Sequence, residues 1–489
     1  MSPAEKPAPT LLEALAPLVF LVGLLGASVA LYGEDSSYGP NQIALLLAAI
    51  VAGLLGLRRG HRWAALEAAM VRSISVTMPA CLILLAVGAL IGAWILSGTV
   101  PYLILLAAEL LAPDWYYAAA CLICALISLS IGSSWTTAGT VGIALIGAAE
   151  ALGLSPVITA GAIISGAYFG DKMSPLSETT NLAAAVAETD LFAHIRTMLW
   201  TALPSLALTL ILFSWLSAAP ETLGDDIFAQ LERALDEEYA LGPLSLLPLA
   251  LLLVLSALRY PPVPVIAAGT LSAVALALVT QYPATQSQAP AGSDGLAGAL
   301  AGAWTVLYAG FESQSSVASV ADLLTRGGMI SMLNTVWLIL CAMVFGGVLE
   351  ATGALSRLVT ALLSFVRGVA SLQVTTLATG VATNVLAADQ YMAVSIPGRL
   401  FQGAYEQRGV HRLNLSRNLE DGGTLTSVLV PWNTCGAYMA ATLGVGTLAY
   451  LPYCFFNLTS FALAVLWALL GIGLVAPDGE TQDTSVLAP

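Results

Sequence analysis

Long runs without a single Asp, Glu, Lys or Arg dominate the chain: 41–57, 73–108, 115–149, 151–170, 197–220, 239–258, 260–293, 327–349, 368–388 and 422–477. About 20 apolar residues cross the hydrocarbon core of a bilayer as a helix, so the longer runs hold two or more passes. The pattern predicts an all-α polytopic membrane protein of about 11–13 membrane segments, some of them broken or re-entrant. Leu11 to Leu31 is too long for the apolar part of a signal peptide and reads as the first transmembrane helix.

Sliding the chain by about 250 residues lays one half on the other. Window 73–97 falls on 323–347, 115–131 on 365–381 and 197–219 on 447–469; Ser134 meets Asn384, and Asp171 meets Asp421. Duplicated halves, often inverted, are a common plan of secondary transporters. The expected division is 1–243, carrying an acidic loop at 220–238, and 244–489.

Composition agrees. Of the 489 residues 58% are hydrophobic and 9% charged, against roughly 25% charged in soluble domains. There is too little polar surface for a soluble enzyme, a disordered chain or a nucleic-acid binder. The net charge of −14 gathers in loops around Glu34–Asp35 and from Glu221 through Asp225, Asp226, Glu232, Asp236 and Glu237 to Glu238, which read as solvated faces. The six cysteines lie in apolar stretches, and Cys121-x-x-Cys124 lacks a second pair or a nearby histidine, so packing is the expected role. Arg58, Arg59, Arg62 and Arg72 crowd one loop, and Arg399, Arg408, Arg412 and Arg417 another. The positive-inside rule puts both in the cytoplasm, with the N-terminus.

Four polar segments interrupt the apolar wall. Gly132-Ser133-Ser134-Trp135-Thr136-Thr137 reads as a hairpin tip. In Gly170 to Asn181, Pro175 should break the helix. Ala382 to Gln390, and Leu419 to Thr426 continuing to Thr434, are the second-half counterparts, with Gly422, Gly423 and Pro431 as breakers. Broken helices expose carbonyl oxygens, and hard cations prefer oxygen ligands. A carboxylate at mid-membrane costs on the order of 3 kcal/mol, so Asp171, Asp389 and Asp421 stand out. Glu178, Glu188, Asp190, Glu420, Glu312 and Glu350 read as helix-end residues in water, and Lys172 as a neutraliser of Asp171. Gly166 and Gly170 have the spacing of close helix packing. His61, His194 and His411 lie near segment ends. No Walker, GxSxG or HExxH sequence occurs, which removes ATP-driven pumping and common hydrolase chemistry.

The run Gly170-Asp171-Lys172-Met173-Ser174-Pro175-Leu176-Ser177-Glu178-Thr179-Thr180-Asn181-Leu182-Ala183 resembles the NhaC family of sodium/proton antiporters. Glu420-Asp421-Gly422-Gly423 and Val430-Pro431-Trp432-Asn433-Thr434 resemble its second-half signature, and the resemblance spans roughly residues 10–475. It implies inverted halves, each with a re-entrant hairpin and a broken helix, and a homodimer working by an elevator motion. NhaC-like proteins also include exchangers of malate, lactate and amino acids, so a small organic acid is the alternative cargo.

The expected function is sodium/proton antiport in the cell inner (plasma) membrane, with lipid and a small cation as partners and no enzymatic activity. Asp171 with Ser133, Ser134, Thr137, Ser174, Ser177 and Asn181 would form one half of the sodium site. Asp421 and Asp389 with Thr383, Asn384, Thr424 and Asn433 would form the other. A desolvated aspartate would hold a proton until sodium displaces it.

Overall fold

Leu, Ala, Ile and Val in unbroken runs leave the backbone no water to bond, so it closes its hydrogen bonds within helices. In a computed structural model the chain is helical, apart from a two-stranded hairpin, β1 (Leu474–Val475) with β2 (Thr481–Gln482). The structure describes residues 9–32, 36, 38–111, 113–217, 233, 235, 238–258, 260–315, 317, 320–321, 324–475 and 481–482. Of the acidic loop residues only Glu238 lies among them. It accepts hydrogen bonds from Ser313 Oγ (3.0 Å) and the Gln314 N–H (3.1 Å).

The helices are α1 (Leu11–Tyr32), α2 (Pro40–Arg58), α3 (Trp63–Leu96), α4 (Thr99–Leu110), α5 (Tyr116–Ile131), α6 (Ser134–Thr137), α7 (Ile143–Ala151), α8 (Pro156–Met173), α9 (Glu178–Val186) and α10 (Leu191–Ser217). They continue with α11 (Leu247–Ala257), α12 (Pro262–Thr280), α13 (Tyr282–Ser287), α14 (Gly295–Ala309), α15 (Met329–Ala351), α16 (Ala354–Leu363), α17 (Val369–Ala387) and α18 (Gln390–Gln407). The last are α19 (Arg412–Leu419), α20 (Leu425–Ser427), α21 (Thr434–Leu443), α22 (Thr447–Tyr450) and α23 (Phe455–Leu470). Among the described residues eight helices are long and apolar enough to cross a membrane, or nine if the bent pair α22–α23 is one span. The sequence count of 11–13 is higher because it included hairpin arms and half-helices such as α9, α19 and α21, too short to span alone.

Helix ends recur at a spacing of 255–256, not 250. α4 begins at Thr99 and α16 at Ala354; α8 begins at Pro156 and α19 at Arg412. The N-caps Ser133 and Asp389 are 256 apart, as are Ser177 and Asn433. Contacts repeat in the same register. Ser128 Oγ donates to the Ala167 carbonyl (2.6 Å), and Asn384 Nδ2 to the Gly423 carbonyl (2.5 Å). In this register Asp171 falls on Ser427 and Asp421 on Ser165, so the two aspartates are not equivalent positions.

Both hairpins turn on a left-handed residue, Gly132 (φ 77°) in the first and Ala388 (φ 57°) in the second. The second tip therefore lies past Thr383 and Asn384, which are still in α17. Pro175 marks a true break, with α8 ending at Met173 and α9 starting at Glu178. Gly422 and Gly423 do not break their helix: α19 runs through a π turn, Glu420–Thr424, into α20, and the break falls at 428–433. Glycine serves approach instead. A Cβ on Gly166 would lie 2.0 Å from the Cys121 carbonyl oxygen, and one on Gly422 2.7 Å from that of Leu377. All six cysteines are free and buried, and no group of metal-holding side chains occurs among the described residues.

The Arg412 guanidinium bonds Glu188 between α9 and α10, and Glu406 at the end of α18. It holds the Glu188 carboxyl below the usual carboxylate range, so that contribution is present at neutral pH and lost only as pH falls through the lowered value. These loops share one face of the protein.

Replacing Gly166 by Ala should separate α5 from α8 and lower stability by about 1–3 kcal/mol or more, read as a lower melting temperature in detergent. Gly23→Ala, where nothing lies within 4 Å, should leave it unchanged.

Candidate functional site

The two interruptions and two hairpin tips meet in the interior. Ser177 ends the first break as N-cap of α9, its Oγ accepting the Thr180 N–H. Thr180 Oγ1 in turn donates to the Lys172 carbonyl (3.0 Å), freed where α8 stops. In the second break Asn433 caps α21 through the Cys435 N–H and donates Nδ2 to Asn384 Oδ1 (3.0 Å). Asp389 caps α18, accepting the Met392 N–H (3.0 Å).

Asp171 is 7% exposed, and its Oδ2 accepts the Ser134 N–H (3.1 Å) and Ser134 Oγ–H (2.6 Å) from the first hairpin tip. The Ser177 hydroxyl also lies beside it. Trp135 on that tip stacks on Tyr438 of α21 at 4.1 Å, and Tyr438 Oη donates to the Trp135 carbonyl (2.8 Å). The second tip reaches across in the same way, Tyr391 Oη donating to Glu178 Oε2 (2.7 Å).

Lys172 does not neutralise Asp171. Successive helical residues diverge by about 100°, and Lys172 turns to the other broken helix, where Nζ pairs with Asp421 Oδ1; both side chains are fully buried. Nζ also donates to Thr201 Oγ1 (3.2 Å) and Ser460 Oγ (3.3 Å), which in turn donate to Asp421 at 3.1 and 2.8 Å. All three ammonium protons and both carboxylate oxygens are thereby used. Asp421, expected as a cation ligand, is here the counter-ion of Lys172.

Other expectations change too. Glu420 is not at a wet helix end: it is fully buried, with the Thr424 hydroxyl one turn on beside its carboxyl. Arg417 is not in a loop but buried in α19, with Nη1 on the Gly473 carbonyl (2.8 Å) and Nε unpartnered. His194 is buried against Ser416 Oγ (2.8 Å). Thr137 and Thr383 return their hydroxyls to carbonyls of their own turns, those of Ser133 and Thr379. Ser174 Oγ accepts the Leu176 N–H, and Asn181 is exposed, bonded to the Pro175 and Ser177 carbonyls. The structure therefore gathers Asp171 with Ser134 and Ser177, while Ser133 Oγ caps α6 by accepting the Thr136 N–H. Asn384 and Asn433 brace the second break, and Asp389 caps its hairpin tip.

Polar side chains held at paired helix breaks inside an apolar helical shell define a secondary transporter of the broken-helix kind. The profile of the Na+/H+ antiporter family matches residues 166–472. The chain is 35% identical to the Na(+)/H(+) antiporter NhaC of Alkalihalophilus pseudofirmus over 88% of its length and 90% of that protein's. It is 37% identical to the Malate-2H(+)/Na(+)-lactate antiporter of Bacillus subtilis, covering 95% of each chain, and 34% identical to the arginine/ornithine antiporter ArcD of Halobacterium salinarum, covering 96% and 94%. The chain belongs to the Na+/H+ antiporter family.

Breaking the buried pair tests its place in the fold. Lys172→Met should cost about 3–5 kcal/mol by stranding Asp421. Adding Asp421→Asn should recover much of that loss in a thermal or denaturant double-mutant cycle.

Proposed function

We propose that the protein exchanges sodium for protons, with Asp171 as the carboxylate that each occupies in turn. The observation that carries this is the setting of Asp171: a nearly buried carboxylate between a hairpin tip and a helix break, beside the hydroxyls of Ser134 and Ser177. Charge balance supports it. Among the described residues the buried charged side chains are Asp171, Asp389, Glu420 and Asp421 against Lys172 and Arg417. Four ionised carboxyls with two cations would leave two negative charges unbalanced in low dielectric, which is prohibitive. Protons or a cation must make up the difference, and an exchanger needs that interchangeability.

The chain is read as two copies, 1–243 and 244–489, inserted in opposite senses. The spacing of 255–256 supports this, with two hairpins whose tips come together. The second hairpin and α19 rise from the face bearing Arg408 and Arg412. By the positive-inside rule this face, with Arg58, Arg59 and the N-terminus, is cytoplasmic in the inner membrane. The cargo site would cross by an elevator movement of the broken-helix bundle within a homodimer, as the family resemblance implies.

A second reading, exchange of a small organic acid, draws on two of the relatives and on Arg417, a buried guanidinium one turn from Asp421 with an unbonded N–H.

Asp171→Asn should abolish sodium-dependent proton movement in proteoliposomes, read with a pH dye; retained exchange would reject the assignment. Uptake of labelled malate, lactate or arginine by the unaltered protein, with and without a sodium gradient, separates the two readings.

A further inference from the structure

Arg412, at the start of α19, bonds Glu188 just past the end of α9, so both mark one face. From Glu188 back to Glu178 the chain climbs ten residues, about 15 Å at 1.5 Å per residue. That is half of a core about 30 Å thick. Independent elements give the same depth: Asp421 is nine residues from Arg412, and Thr201, which bonds it, is ten from the start of α10.

At this depth α9 is not covered. Glu178, Asn181, Ala185 and Glu188 are all exposed and recur at three- and four-residue steps, so they form one stripe from mid-membrane to the Arg412 face. Alongside runs α18, with Glu178 bonded to Tyr391, Val186 packed on Gly398, and Gln402 beside Glu188. Its flank carries Tyr391 and Arg399 exposed and Ser395 half-buried. By contrast, the exposed side chains of α10 include Leu203, Leu208, Ile211 and Trp215, as lipid requires. A carboxylate facing hydrocarbon at mid-depth would cost on the order of 3 kcal/mol, so the stripe faces water.

We infer that the paired polar flanks of α9 and α18 form a water-filled lane that carries a hydrated small cation from the Arg412 face to Asp171. Glu178, oriented by Tyr391, is the carboxylate at its inner end, and Arg399 leaves the outer part balanced in charge. The lane serves the sodium site proposed above, and its existence is testable whatever the cargo.

The test is labelling of the full chain in oriented vesicles with a positively charged, membrane-impermeant thiol reagent, read as a mass shift. The six native cysteines are buried. Ala185→Cys and Ser395→Cys report the lane, Leu203→Cys on α10 reports lipid, and Arg408→Cys marks the loop face. Because a thiol in hydrocarbon stays protonated and unreactive, A185C and S395C should label roughly tenfold or more faster than L203C, and from the same side as R408C. Labelling no faster than L203C, or only from the side opposite R408C, overturns the lane. A chain that labels as expected yet moves no sodium would reject the antiport reading and leave the lane standing.

Discussion

A bilayer core offers nothing to bond a bare peptide group, so a helix can stop at mid-depth only where side chains replace its missing partners. This constraint shapes the whole interior. Each stop has a cap from its own sequence: Ser133, Ser177, Asp389 and Asn433. Each is also braced by the other elements, as when Thr180 bonds the freed Lys172 carbonyl or Asn433 bonds Asn384. The oxygen atoms that make the interruptions tolerable are the same atoms a desolvated cation needs.

The Lys172–Asp421 pair extends this logic to charge. Lys172 is one of only two lysines in the chain, and it sits where burial is complete. Its three protons find Asp421, Thr201 and Ser460, which come from the π turn of the second broken helix, α10 and α23. The pair thus ties both broken helices to two long spans. It also sets the two aspartates apart: Asp421 is bonded to Lys172, Thr201 and Ser460, and Asp171 to the amide and hydroxyl of Ser134.

Much of this was legible in the sequence, and the parts that were not have physical reasons. Charge-free runs announced the helices, and Pro175 announced its break, because both act locally. Asp171 was legible as a carboxylate amid hydroxyls. Its neighbour in the chain misled, since adjacency along a helix points side chains apart. Thr201 and Ser460 gave no signal, being hydroxyls in charge-free spans, where bonding to the preceding turn is the ordinary use. Glu420 looked like a terminal residue because the π turn that carries it inward leaves the helix unbroken at Gly422 and Gly423. Sliding on matching polar letters chose an offset of 250. Caps and packing glycines fix 256, since they are set by backbone geometry.

That register also explains why the halves differ chemically. At matched positions the first half places Asp171 where the second has Ser427, and the second places Asp421 where the first has Ser165. The two aspartates therefore sit six residues apart in that register. Displacing one by six residues along its helix brings it against Lys172 and leaves a single carboxylate beside the serine oxygens. Recurring caps and close contacts form a symmetric frame, and the two aspartates depart from it.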